Sequence, residues 1–264
     1  MTDLYRLARA ALVSRDPEEK MNLTREAAGL WGEGALVLAG GEPVAIDRPG
    51  RPELPELVPP TRVPKRKPGS VAGRAAQIHA LAHIEFHAVN LAWDAVHRFR
   101  GLPRAYYGDW VQVALEEARH FEILRDRLRE LGHDYGDFAA HNGLWEMAAK
   151  TAHDPMARMA MVPRVLEARA LEAVPVMIAK LRRVEDDATA DLLEVIMRDE
   201  IGHVAAGSRW FKHQCAARGV EAESTYRRFL HDYRFEHIKG PLNREARLAA
   251  GFTSAELDAL ERGG

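Results

Sequence analysis

Two short motifs in the sequence pair a carboxylate with an imidazole at the spacing of one helical turn. Glu117 precedes His120 and Glu200 precedes His203, each pair with two residues between its members. Positions three apart lie on the same face of an α-helix, so both side chains of a motif can reach one metal ion. Each motif is therefore a candidate half of a metal site.

The number of such motifs carries little weight by itself. With 24 glutamates and 12 histidines among 264 residues, about one Glu-x-x-His pair is expected by chance, and the sequence has three. The third pair, Glu130 and His133, spans Gly132, which predicts a helix end between its members. The informative feature is the position of the other two pairs within their segments.

Apolar stripes surround the two remaining motifs. Hydrophobic residues recur at helical spacing around each motif, and the motif falls inside the stripe. Two further glutamates, Glu85 and Glu167, fall in line with the apolar stripes of two other helical segments. Glu85 and Glu117 are 32 residues apart, and Glu167 and Glu200 are 33 residues apart. The paired spacing predicts two similar helical hairpins, each with one Glu and one Glu-x-x-His.

Carboxylates buried at these positions require a cation. An ionised carboxylate that is buried without a partner costs several kcal/mol or becomes protonated. Two divalent ions would balance four such charges, and carboxylate oxygens with two imidazoles suit two iron ions, with manganese as the alternative at one or both positions. The single cysteine, Cys215, excludes a cysteine-rich zinc or iron–sulfur site. The predicted ligands are Glu85, Glu117, His120, Glu167, Glu200 and His203.

Two more acids directly precede the motif glutamates and are predicted to orient the histidines. A metal-bound histidine normally donates its second N–H to a carboxylate or a carbonyl. Glu116 and Asp199 are therefore predicted to reach the histidine of the opposite motif, with a solvated helix charge as the alternative. Glu172 also has apolar neighbours at helical spacing, and it is the alternative to Glu167 as a ligand.

Other side chains that could do chemistry have simpler predicted roles. His79, His83 and His87 recur every four residues beside the predicted ligand face. They are predicted to be polar edge or interface residues, with extra metal ligation as the alternative. Tyr106 and Tyr107 are predicted to be interfacial aromatic residues rather than redox-active ones.

Four long helical segments must position these residues. Helices of about 30 residues would each span about 45 Å at 1.5 Å per residue, and four of them indicate an all-α four-helix bundle. Pro163 and Pro175 fall inside the third segment and predict a bend there. The segments are predicted over residues 70–100, 103–131, 155–183 and 186–218, with a short helix near 143–151.

The chain is predicted to have three parts. Eight prolines between residues 43 and 68 exclude a helix or a central strand and predict an extended arm. The basic run over residues 62–67 is predicted to be a solvated linker, with contact to an anion as the alternative. The parts are residues 1–69, with two short helices and the arm, residues 70–219, the bundle, and residues 220–264, a helical extension packed on the bundle.

Composition argues against several classes of function. A formal net charge of −2 disfavours nucleic-acid binding driven by bulk charge. No apolar run is long enough to cross a bilayer, and the first residues lack the pattern of a signal peptide. The predicted location is the cytoplasm, without a membrane partner.

The order of the predicted ligands resembles that of the ferritin-like superfamily of carboxylate-bridged di-iron proteins. The chain also resembles, over most of its length, a bacterial family catalogued as domain of unknown function 455. This resemblance implies the fold and the metal ligands but assigns no substrate. The runs that carry it are residues 83–85, 116–120, 162–169, 198–203 and 239–243, together with the Pro-rich arm.

These features predict a di-iron oxidoreductase that activates dioxygen to oxidise or hydroxylate a small or medium organic substrate. An external electron donor is required, because the sequence has no flavin or iron–sulfur motif of its own. The substrate stays open, and a modified tRNA base is one candidate, since one hydroxylase of the superfamily acts on such a base. The sequence does not select between a monomer and a homo-oligomer. The alternatives are a ferroxidase or metal-binding protein without an organic substrate, and a structural or interaction bundle.

Overall fold

The regular secondary structure of the described chain is almost all helical, which confirms the all-α prediction. The structure is a computed structural model that describes residues 2–64, 70–235 and 241–262. Within these residues there are two strands of two residues each, β1 (Thr2–Asp3) and β2 (Leu36–Val37), which pair with each other in parallel. The helices are α1 (Leu4–Val13), α2 (Pro17–Gly32), α3 (Val71–Arg98), α4 (Arg104–Glu130), α5 (Gly143–Lys150), α6 (Pro155–Met161), α7 (Ala170–Arg183), α8 (Asp187–Ala217), α9 (Ala222–Asp232), α10 (Arg244–Ala249) and α11 (Ser254–Arg262).

The chain divides into two compact units, Met1–Ala149 and Lys150–Gly264. The three-part division expected from the sequence stays a prediction. Residues 65–67 of the basic run and residues 239–240 of the last shared run lie outside the described residues. No helix in the described part of the chain is long and apolar enough to cross a membrane.

Helices α3 and α4 form the central pair of the first unit. The Ser70 hydroxyl caps α3 by accepting a hydrogen bond from the Gly73 amide at 3.0 Å. Two hydroxyls join the pair: Tyr106 donates to the carbonyl of Ala95 at 3.3 Å, and Tyr107 donates to that of Phe99 at 3.0 Å. Both tyrosines are buried, so the prediction of interfacial aromatic residues is confirmed.

A buried lysine attaches the N-terminal helices to α3. The Lys20 ammonium donates to the carbonyls of Ala11 at 2.6 Å and Leu12 at 3.1 Å, and to Oδ1 of Asn90 at 2.7 Å. Ala11 and Leu12 are in the last turn of α1, whose carbonyls lack partners within the helix. Burial lowers the pKa of Lys20 to about 7 because it disfavours the charged form.

The Pro-rich arm runs along the first unit as irregular chain. Residues 43–59 contain no helix or strand, as predicted, and a single 3₁₀ turn follows at Pro60–Arg62. The arm forms one parallel bridge between Leu57 and Ala140, in which the Val58 amide donates to the Ala140 carbonyl at 2.9 Å. This bridge joins the arm to the connection that follows α4.

The third long segment is helical without interruption over residues 155–183, as predicted, but its winding changes within these bounds. Between α6 and α7 the chain forms a π-helical turn, Val162–Leu166, and then a 3₁₀ turn, Glu167–Arg169. Pro163 has no N–H to donate one turn back, and its ring crowds that turn, which favours a wider winding. Pro175 behaves differently, because α7 continues through it.

The C-terminal helices pack within the second unit through two buried arginines. Arg164, in the π turn, donates to Oε1 of Glu256 at 2.7 Å. Arg247, on α10, donates to both carboxylate oxygens of Glu172 at 2.7 and 2.9 Å. Helices α9, α10 and α11 follow α8, and the two arginine contacts connect α10 and α11 to the third long segment.

Candidate metal centre

Three predicted ligands come together in the first unit. Glu85 lies on α3, and Glu117 and His120 lie on α4. Each offers one ligand atom, and these atoms lie within 4.8 Å of one another. All three side chains are buried, and Nδ1 of His120 is 3.2 Å from Oε2 of Glu117. The α3–α4 pair therefore presents two carboxylates and one imidazole to a common point.

The donor set of the first unit fits a divalent transition metal. Metal–ligand bonds of about 2.0–2.2 Å place two ligands of one ion at most about 4.4 Å apart. A separation of up to 4.8 Å therefore needs only a small side-chain adjustment. Two buried carboxylates this close repel one another, and a cation between them offsets that repulsion.

The second unit carries the remaining three predicted ligands in a looser arrangement. Glu167 begins the 3₁₀ turn, and Glu200 and His203 lie on α8. All three side chains are buried, and Nδ1 of His203 is 3.8 Å from Oε1 of Glu200. Among the described residues of this unit, no three such donors approach as closely as those of the first unit. The two half-sets are therefore unequal, although their sequence spacing is nearly the same.

The third Glu-x-x-His pair does not share a helix face. Helix α4 ends at Glu130, and Gly132 has a φ of 79°, in the left-handed region that favours glycine. His133 lies beyond this end, with Nδ1 at 3.2 Å from Oδ2 of Asp137. The prediction that Gly132 separates this pair is confirmed.

Glu172, the alternative to Glu167, has a different partner. Besides the two hydrogen bonds from Arg247, its Oε1 accepts one from the Asn243 amide at 3.2 Å. A carboxylate engaged by a buried guanidinium is a poor metal ligand, because its charge is already balanced. This contact favours Glu167 as the ligand.

The two acids that precede the motif glutamates are half-buried. Glu116 accepts a hydrogen bond from Nε2 of Gln112 at 2.7 Å, one turn earlier on α4. Oδ1 of Asp199 is 3.9 Å from Nε of Arg198. Their expected contacts with the motif histidines stay predictions.

The three additional histidines of α3 are buried, which contradicts their placement at a polar edge, whereas the interface role and extra metal ligation stay predictions. The connection after α4 covers them: the Gly136 amide donates to Nε2 of His79 at 3.0 Å, and His83 hydrogen-bonds to the Tyr135 hydroxyl at 2.9 Å. Burial lowers the pKa of His83 to about 4 and the pKa of His87 well below its usual range.

Tyr135 was not identified from the sequence. Its ring packs against Phe86 and Phe121, with centroids 5.4 and 5.1 Å away, and burial raises its pKa. An isolated tyrosine in a polar connection carries no periodic signal, so the sequence gives no means of predicting that Tyr135 packs against α3 and α4.

Close packing of Gly207 against the π turn yields a test of how Glu167 is positioned. A Cβ on Gly207 of α8 would overlap the ring of Pro163, four residues before Glu167. We expect Gly207→Ala to lower the free energy of unfolding by about 1–3 kcal/mol, the usual range for overpacking. Metal content at the second half-set should also fall, because the turn that begins at Glu167 must shift. Urea unfolding and elemental analysis measure the two effects.

Gly202 provides the matched control on the same helix. A Cβ there would meet nothing within 4 Å, so Gly202→Ala should raise the free energy of unfolding by about 0.5–1 kcal/mol through helix propensity. If both variants change stability in the same direction, the packing of Gly207 against Pro163 does not position the turn.

Comparisons with known proteins identify a family without an assigned activity. A family described as "Protein of unknown function (DUF455)" matches residues 13–258. An uncharacterized protein of Haemophilus influenzae is 42% identical over 269 residues, which cover 98% of this chain and 93% of the relative. No solved structure gives a significant match.

Proposed function

Because the chain belongs to the DUF455 family, whose description assigns no reaction, we propose a function from its own buried side chains. The proposed function is that of a di-iron carboxylate oxidoreductase that activates dioxygen to oxidise or hydroxylate an organic substrate. Manganese is the alternative metal at one or both positions, and electrons come from an external donor.

The observation that carries this proposal is the buried group of Glu85, Glu117 and His120. Two carboxylates and an imidazole within 4.8 Å of one another form a donor set rich in oxygen and free of sulfur. Such a set suits iron or manganese better than the thiolate-rich sites of structural zinc. The Glu and Glu-x-x-His of the second unit repeat these residue types, which supports two ions per chain.

In the proposed reaction the carboxylates would balance the charge of the bound metal ions. Glu85, Glu117, Glu167 and Glu200 together carry four negative charges, equal to the charge of two divalent ions. Bound iron would supply a redox-active Lewis acid that reacts with dioxygen. The carboxylates of each half-set would hold an ion and offset its positive charge.

The apolar neighbours of the ligands would keep water from the reacting centre. Ala82 and Val89 lie one turn to either side of Glu85, and Ala114 and Phe121 lie one turn to either side of Glu117. All four side chains are buried. A dry environment strengthens the electrostatic contacts of the carboxylates and protects reactive species from side reactions.

The test is the reaction of the iron-loaded chain with air. Protein reconstituted anaerobically with ferrous iron should bind about two ions per chain, as the ligand count requires. Exposure to air should consume dioxygen and produce a near-ultraviolet absorption of the kind given by oxo-bridged iron. Both signals should persist in Glu130→Ala, which alters the glutamate of the pair outside the candidate site.

Two results would count against the proposal. An iron-loaded protein that consumes no dioxygen and shows a flat near-ultraviolet spectrum has no oxygen chemistry. Dioxygen consumption that follows iron oxidation alone, without turnover when a reductant and candidate organic substrates are supplied, indicates a ferroxidase instead.

A further inference from the structure

A cleft of about 910 Å³ opens in the first unit where the arm passes the end of α1. Arg15 follows α1, Arg48 and Arg51 belong to the arm, and Asn142 comes from the connection before α5. None of the predicted metal ligands lines this cleft. It is therefore a separate feature that the proposed function does not use.

The charge of the cleft is predominantly positive. Three arginines line it, against one carboxylate, that of Glu53. The Arg15 guanidinium is 3.9 Å from the Glu53 carboxylate, and both side chains are well exposed, so this pair is weak. Within the described residues, Arg48 makes no hydrogen bond or ion pair. The cleft thus retains positive charge that acidic side chains do not balance.

Arg51 is held in place without a carboxylate. Its Nη1 donates to the backbone carbonyls of Pro52, Glu53 and Pro55, at 2.9, 3.2 and 3.2 Å. These carbonyls orient the guanidinium but carry no net charge, so the cation keeps its attraction for an anion. A fixed guanidinium also loses less conformational entropy when a ligand binds.

The wall of the cleft is fixed where the arm meets α1. The Gly50 amide donates to the Leu12 carbonyl at 2.8 Å, and a Cβ on Gly50 would overlap the carbonyl oxygens of Val13 and Ser14. This close approach requires glycine and sets the separation between the arginine that follows α1 and those of the arm. The three arginines therefore lie on two segments that are joined directly by this backbone hydrogen bond.

We propose that this cleft binds a small organic anion with several negative charges, carried by phosphate or carboxylate groups. Guanidinium groups bind both kinds of oxyanion through paired hydrogen bonds. The volume is at the upper end of the range for small-molecule sites and accommodates a molecule of nucleotide size. Val13 and Leu57 add apolar surface for the uncharged part of the ligand.

Calorimetric titration of the full chain tests the cleft with two probes, inorganic pyrophosphate and citrate. Both probes also bind metal ions, so the protein is first freed of metal with a chelator and the titration is run in about 0.15 M salt, where screening limits long-range effects. We expect saturable binding of at least one probe. The tighter probe then identifies phosphate or carboxylate as the preferred group.

Substitutions separate the cleft from general electrostatic attraction. Arg48→Gln and Arg15→Gln should each weaken binding about tenfold, the effect of losing one charge-assisted contact. Arg62→Gln removes an exposed arginine of the same arm outside the cleft, and it should change the affinity less than twofold. Absence of binding by both probes, or an equal loss in Arg62→Gln, would overturn the proposal. Because the titration uses metal-free protein, its outcome is independent of the metal site.

Discussion

Replacing Glu117 and Glu200 together with alanine is expected to remove both metal ions from the chain. Each substitution takes one carboxylate from one half-set, so each ion loses a ligand and half of its compensating negative charge. Elemental analysis should find about two ions per chain in the unaltered protein and close to none in the double variant. This is the largest effect that the proposed ligand set predicts, because no other buried acid of α3 or α4 replaces Glu117.

This experiment has two controls: a variant at another glutamate of α4, and a double variant in which glutamine replaces Glu117 and Glu200. Glu130→Ala also removes a Glu-x-x-His glutamate of α4, but at an exposed position, and metal content should stay at about two. The double variant with glutamine in place of alanine keeps the side-chain volume, and it therefore separates a loss of metal ligands from a loss of folding. Undiminished metal in a folded double variant would refute the assignment of Glu117 and Glu200.

Local signals in the sequence were sufficient for three of the four long helices. Ser70 before α3, Gly132 after α4 and Gly219 after α8 each mark a helix boundary by a local preference, either a hydroxyl that caps or a glycine that accepts positive φ. The buried positions of Glu85 and Glu117 also follow from periodicity alone. Local chemistry therefore determines both the helix ends and the faces that carry the predicted ligands.

The change of winding in the third segment could be predicted only in part. Pro163 indicates a disturbance, but the choice of a π turn followed by a 3₁₀ turn depends on contacts with distant residues. Arg164 pairs with Glu256, 92 positions away, and Glu172 pairs with Arg247, 75 positions away. A single sequence gives no signal for such pairs, so it could not show that Glu172 is engaged by Arg247.

The burial of the α3 histidines was missed for a related reason. Their own helix gives them a polar stripe, which is typical of an exposed face. The connection after α4 covers that stripe with Tyr135 and Phe138, whose rings pack against His79. Because this cover comes from an irregular segment, periodicity does not predict it.

The buried ion pair between Glu256 on α11 and Arg164 in the π turn is expected to contribute strongly to the stability of the second unit. Glu256→Ala should lower the free energy of unfolding by about 3–5 kcal/mol, the range for breaking a buried ion pair. The guanidinium of Arg164 is fully buried between the rings of Tyr226 and Phe252, 4.1 and 4.5 Å from their centroids. Without Glu256, its charge would be left without the carboxylate that balances it. Urea unfolding measures the loss.

An exposed pair in the C-terminal tail of the same unit provides the comparison for Glu256→Ala. Glu261 is 2.8 Å from Arg244, and both side chains are partly exposed, so Glu261→Ala should cost no more than about 1 kcal/mol. Arg164 lies three residues before Glu167, and a shift of the π turn in Glu256→Ala should therefore also reduce metal content at the second half-set. Equal stability losses in the two variants would show that burial does not make the Arg164–Glu256 pair important. Unchanged metal content in a destabilised Glu256→Ala would show that the tail stabilises the unit without positioning Glu167.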